Sequence, residues 1–298
     1  MIRSLLTASL STVILISCVP NREDSASPDD LPAAVMNEAV PLPDQVDERV
    51  TAARERLNAS EAGQRIAQAI EAHGGLARWY ANGPLGFRFN YRPLDDGTPR
   101  DTYEVASYWS AQTRHRLAED TTIQYGWDGQ QAWAYPTDTL IPYDVRFWSL
   151  TPYYFVGIPF VLADGGINLA LMEPDTLAGN TYDLVKVTYE EGVGDAPDDY
   201  YVIYVSQEDN RVGAIRYIVS YPGYFPDGGH APEKLMTYEG AQTVEGIMLP
   251  ERYRTFWWKD EQRGEHITNV TLSEVAFRPD VAADYFAAPA EAVRIKDV

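Results

Sequence analysis

The feature that most limits what this chain can become is a period-two alternation that begins at Leu85 and recurs almost to the C-terminus. Leu85, Phe87, Phe89 and Tyr91 alternate with Gly86, Arg88, Asn90 and Arg92, so one face of an extended segment is apolar and the other polar. Asp96-Gly97 offers a turn, and Tyr103, Val105 and Ser107 begin a return strand. A further strand, Thr121 to Trp127, meets the hairpin signal Asp128-Gly129, and Gln131 to Tyr135 leaves it. Later strands are expected at 182–189, 200–206, 212–221, 234–239, 251–258 and 266–277. Short turns such as Glu208-Asp209-Asn210 and Glu245-Gly246 separate some of them. Consecutive strands with short turns and no long helix in this second series make an antiparallel meander, not a parallel sheet with crossover helices.

Two helices precede the strands. The first is expected from about Gln45 to Leu57. The second starts at an Asn58 or Ser60 cap, carries Ala62, Ile66, Ala69 and Ile70 on one face, and ends at His73-Gly74-Gly75. Glycine there takes the left-handed conformation that closes a helix, and a cation-capable His suits the C-terminal dipole. Helix capping is therefore the reading of His73, with a catalytic base as its rival. Leu76 and Trp79 follow, on a short turn packing onto the core. The segment Pro142 to Ala178 is different: densely apolar, with Pro152 and Pro159 inside. Proline bars both a long helix and a central strand, so short helical turns forming a lid or plug are expected. A connection that merely completes the core is the alternative.

The N-terminus stands apart from this domain. Arg3 and the 12 apolar-rich residues Leu5 to Ile16 have the form of a signal peptide, too short for a permanent membrane span. Leu15-Ile16-Ser17-Cys18 resembles the bacterial lipobox, and Cys18 is the only thiol in the chain. That resemblance implies cleavage before Cys18, acylation of its sulfur, and anchoring to a membrane by several acyl chains. Val19 after Cys18, where inner-membrane retention uses Asp, implies an outer-membrane lipoprotein facing the periplasm. From Val19 to Asp47, five prolines and seven acids against one base read as a disordered tether. The expected organisation is thus 1–17 signal peptide, 18–47 lipidated Cys and tether, and 48–298 a single β domain.

Composition and motifs exclude several functions. With 44 acidic against 24 basic residues, a net charge of −20 repels phosphate backbones, so no nucleic-acid partner is expected. A single Cys excludes an intrachain disulfide, a CxxC redox pair and multi-thiolate metal sites. No Gly-x-Ser-x-Gly, His-Glu-x-x-His or phosphate-loop pattern occurs, and His73, His115, His230 and His266 are too scattered for metal-ligand spacing. No cofactor and no catalytic residue is assigned. Glu190, Glu191, Asp195, Asp198 and Asp199 crowd a ten-residue loop without a base. Asp195, Asp198 and Asp199 are weak candidates for Ca²⁺, but the spacing is not that of an EF-hand and a solvated turn is the reading.

Taken in order, His73-Gly74-Gly75, Trp79, Gly126-Trp127-Asp128-Gly129, Trp133, Ile158-Pro159-Phe160 and Gly192-Val193-Gly194 resemble a family of exported bacterial proteins. The C-terminal series Tyr238-Glu239-Gly240, Gly246 to Pro250, Val275-Ala276-Phe277 and Asp284-Tyr285-Phe286 is similar to the ending of LolA/LolB-type lipoprotein carriers. The resemblance implies a mainly β (α+β) fold: a curved, half-open antiparallel barrel with N-terminal helices and a helical or irregular lid over an apolar cavity. It implies a hydrophobic small molecule or acyl chain as ligand. Phe87, Phe89, Trp127, Trp133, Phe155 and Phe160 are the candidate lining residues, chosen from strand faces and the lid. The rival functions are an envelope hydrolase acting on lipid or sugar, and a scaffold that joins an envelope protein partner.

Overall fold

The computed structural model describes residues 40–136, 141–194, 196, 198–282 and 284–296. Cys18, the signal and most of the expected tether lie outside the described residues, as does Asp195. Helices α1 (Pro43–Asn58), α2 (Glu61–Ala72) and α3 (Leu76–Ala81) open the domain. Pro43 sits in the first turn of α1, where a missing N–H costs nothing, so the helix begins inside the segment expected to be tether. Ser60, not Asn58, caps α2, its hydroxyl accepting from Gly63 N at 3.0 Å. His73 closes that helix, and Gly74 and Gly75 follow with φ of 121° and 83°. Its Nδ1 lies 2.8 Å from Ala69 O, and burial holds its pKa below that of a free imidazole. His73 therefore caps as a neutral ring, not as the cation the sequence suggested.

The strands are β1 (Leu85–Pro93), β2 (Arg100–Ser107), β3 (Gln112–Leu117), β4 (Gln124–Trp127) and β5 (Ala132–Tyr135). After helix α4 (Val145–Gly157) and a 3-10 turn (Phe160–Ala163) come β6 (Ile167–Leu177), β7 (Asn180–Tyr189), β8 (Tyr201–Ser206), β9 (Val212–Tyr217) and β10 (Lys234–Glu239). A small separate hairpin, β11 (Gln242–Val244) with β12 (Ile247–Leu249), precedes β13 (Arg252–Lys259), β14 (Gln262–Phe277) and β15 (Val293–Arg294). Thirteen of these form one sheet in the order β15-β5-β4-β3-β2-β1-β14-β13-β10-β9-β8-β7-β6, with antiparallel pairing throughout. The end strands do not pair with each other, so the sheet is open.

One helix shows how far the sheet curls. Arg146 of α4 lies 3.9 Å over the Trp127 ring of β4, and Tyr154 of α4 packs 4.8 Å from the Tyr201 ring of β8. In a flat sheet β4 and β8 would stand roughly 38 Å apart at ~4.8 Å per strand. A helix of α4's length is only about 20 Å long. The sheet must therefore wrap around α4, which is the half-open barrel expected.

Among the elements that departed from expectation, α4 and β6 differ most. α4 is a continuous helix with Pro152 inside it, where only short turns were expected. The carbonyl of Ser149, three residues before the proline, turns to side chains of β3: Thr113 Oγ1 donates to it at 2.7 Å and His115 Nε2 lies at 3.0 Å. Tyr108 OH and Tyr238 OH donate to the carbonyls of Tyr153 and Phe155 at 2.9 and 3.1 Å. Partners on the sheet thus hold a helix that proline alone would weaken. β6 was also unexpected; it is an edge strand whose residues are mostly exposed, so no burial pattern marked it.

Candidate functional site

Helix α4 lies inside the curl and divides its interior. On one side the concave face of β2–β4 is filled. Glu104 and His115 face each other in register across β2 and β3, both almost fully buried. His115 Nδ1 stands 3.2 Å from Glu104 Oε2, and Thr102 Oγ1 donates to Glu104 Oε1 at 2.7 Å. The His115 ring stacks on Tyr125 with centroids 4.4 Å apart. A carbonyl only accepts, so Nε2 must carry a proton towards Ser149 O. The other nitrogen, Nδ1, faces the Glu104 carboxyl. The pair pins α4 through the Ser149 carbonyl.

On the other side, between α4, the 3-10 turn and β6–β8, the interior is empty. A cavity of about 370 Å³ opens there, bounded by Trp127, Leu150, Tyr154, Ile167, Tyr189 and Tyr201 among others. Its walls are mainly aromatic and aliphatic. The hydroxyls of Tyr154 and Tyr189 hydrogen-bond to each other. Burial keeps Tyr154, Tyr189 and Tyr201 protonated well above the ordinary phenol range. Asp199 is the acid on this wall: its Oδ1 accepts from Ser220 N and Oγ at 2.6 and 2.8 Å, and burial raises its pKa. At the rim Arg49 donates to Asp164 Oδ1 at 2.9 Å and to Trp109 O at 2.8 Å, tying α1 to the mouth.

A second, smaller cavity of about 230 Å³ lies against the central strands, between α4 and β1, β9, β10, β13 and β14. Phe147 and Thr151 of α4, one turn apart, line both spaces.

Of the six expected lining residues, Trp127 borders the large cavity, and Phe89 and Phe155 border the small one. The other three border neither space. Phe87 is buried in the central core. Phe160 is fully buried and stacks on Trp79, with centroids 4.2 Å apart and planes 8° apart. Trp133 faces away from the hollow: Gly126 opposite it has no side chain, and Arg114 of the same outer face lies 5.2 Å over its ring. Ala132 and Ala134 take the inward positions, and the period of two sends Trp133 out. Sequence reading missed Tyr154, Tyr189 and Tyr201. The signal was present for the last two, since Tyr189 and Tyr201 share inward parity with buried Val187 and Ile203. Among the described residues no group of three His, Cys, Asp or Glu side chains converges as a metal site.

No family model and no curated protein matches the chain. Among solved structures it is similar to a LolA superfamily protein from Nitrosomonas europaea, at 12% identity and a TM-score of 0.49, covering 76% of this chain and 97% of that one. It is similar to a putative outer membrane lipoprotein-sorting protein domain from Vibrio parahaemolyticus at 9% identity and a TM-score of 0.47, covering 81% and 97%. A DUF1329 family protein from Desulfovibrio piger matches at 10% identity and a TM-score of 0.43, covering 81% and 96%.

Proposed function

We propose that the domain binds a hydrophobic ligand, a lipid or acyl chain, in the hollow beside α4 and does so without catalysis. The carrying observation is the cavity of about 370 Å³ with apolar, largely aromatic walls, a volume within the usual range for small-molecule sites. Each methylene moved there from water contributes about 0.8 kcal/mol, enough for an alkyl chain to bind without a charged contact. In this reading Cys18 carries the anchor, the stretch between it and α1 holds the domain off an outer membrane facing the periplasm, and the domain itself begins with α1 at Pro43. Native mass spectrometry of the full chain, purified without detergent, tests it. A co-purifying lipid mass is expected. A clean apo mass, with no uptake of a fluorescent fatty acid, would refute the binding reading. Loss of fatty-acid labelling in Cys18→Ser tests the anchor separately.

Asp199 beside three tyrosine hydroxyls is the observation that favours an envelope hydrolase instead. That reading predicts turnover of acyl esters that Asp199→Asn abolishes. The binding reading predicts none, because the hydroxyls are held protonated and Asp199 already accepts two hydrogen bonds.

A further inference from the structure

Lys234 occupies an unusual place. It begins β10, a central strand between β9 and β13. In register it faces Tyr217 on one neighbour and Trp257 on the other. Along the strand Lys234 shares the inward face with buried Met236, while Leu235 packs on the opposite face. Inward charges protect edge strands from pairing, but β10 is no edge, so that explanation fails.

Its ammonium also lacks a counter-ion. Other partly buried cations have one: Arg65 Nε lies 2.7 Å from Asp183, Arg49 2.9 Å from Asp164, and Arg216 3.5 Å from Glu233. Among the described residues no carboxylate comes within 4.0 Å of Lys234 Nζ; its neighbours are the Trp257 and Tyr217 rings, at 5.5 and 6.0 Å. Burial lowers its pKa, the mark of a charge that has lost water and gained too little in return. Asp95, which also borders the space, acts on it only at longer range. Arg100, a buried cation with no carboxylate partner among the described residues, is boxed by the rings of Trp148, Tyr91 and Tyr143 and borders no part of this cavity. Lys234 does border it, together with Phe89, Phe155 and Met236.

We propose that Lys234 anchors the head group of a monoanionic amphiphile, a long-chain fatty carboxylate, whose alkyl chain lies along α4 in the apolar hollow. The proposal rests on the binding reading above and adds the charge of the ligand. One ammonium with no second cation beside it matches a single carboxylate. The surrounding rings and methyls lower the local dielectric, which strengthens the bond. Phe147 and Thr151, which face both spaces, mark the course of the chain past the helix.

The test is displacement of a neutral fluorescent probe, N-phenyl-1-naphthylamine, from the full chain at pH 7.5 by palmitate, by hexadecanol and by dipalmitoyl phosphatidylglycerol. Palmitate is expected to displace the probe at concentrations at least tenfold below hexadecanol. Lys234→Met should erase that preference, leave hexadecanol unchanged and not lower the melting temperature, while Lys234→Arg keeps the preference. Equal potency of palmitate and hexadecanol, or a preference that survives Lys234→Met, would overturn the anchor while leaving hydrophobic binding intact. Phosphatidylglycerol outcompeting palmitate would overturn the fatty acid as ligand. Failure of every ligand and of the probe to bind would sink the binding reading itself.

Discussion

The two sides of α4 solve the same geometric problem in opposite ways. Towards β2–β4 the concave face carries Glu104, His115, Thr102 and Thr113, each with a partner inside the domain. Towards β6–β8 it carries tyrosine rings that surround empty space. A buried polar network demands a fixed geometry, because any group left unpaired costs its full desolvation. An apolar wall makes no such demand and tolerates a void at the cost of lost dispersion contacts. The first side therefore anchors the helix and the second is free to receive a ligand. One helix is the floor of a filled region and the wall of a hollow one.

The comparison breaks most sharply through the Glu104–His115 contact. Glu104→Ala leaves His115 buried without its carboxylate and should cost about 4 kcal/mol, or roughly 10 °C in melting temperature. Calorimetry checks this, and a loss under 1 kcal/mol would mean that α4 is held by other contacts. The hollow side should respond in binding instead. Leu150→Trp places a larger side chain in the cavity and should weaken acyl-probe affinity at least tenfold, about 1.4 kcal/mol, with a smaller change in stability. Unchanged affinity would place the ligand elsewhere. Tyr189→Phe removes the hydroxyl paired with Tyr154 and should cost about 1 kcal/mol or less in urea unfolding, far below the Glu104 variant.

Asp199 and His73 sharpen the contrast through pH. The Asp199 pKa is raised by burial, so its contribution is complete below the free carboxylate pKa and is lost as pH rises through the folded value. Near pH 7.5, Asp199→Asn, which still accepts from Ser220, should raise the melting temperature by about 2 °C, and the gain should vanish near pH 4. The His73 pKa is lowered by burial, so its contribution is complete above about 6.5 and fades as pH falls through the folded value. Urea midpoints measured from pH 7.5 to 5 should fall less in His73→Gln than in the parent.

Much of the sheet was legible because strands facing a core on one side alternate strictly. β1, β7, β10 and β13 appear near their observed bounds for that reason. β3 did not, since its inward residues are Thr113, His115 and Leu117, and two polar side chains hide the alternation. The reason they are inward is the Glu104–His115 contact and the Ser149 carbonyl, long-range partners that no local window contains. α4 was obscured by Pro152 for a similar reason: the groups that hold it lie in the β2–β3 turn, on β3 and on β10. The site was half legible. Phe89, Trp127 and Phe155 border the cavities, but Phe160 and Trp133 differ from them only in tertiary placement, one stacked on Trp79 and the other turned outward. Aromatic content told that large side chains were present, not which ones leave a space between them.

The hollow beside α4 is tested most directly by locating a ligand in it. Crystals grown with a terminally brominated fatty acid should give an anomalous bromine peak enclosed by α4, Ile167, Tyr189 and Tyr201. Bromine found only on the outer surface, or absent while those rings close on one another, would contradict the account.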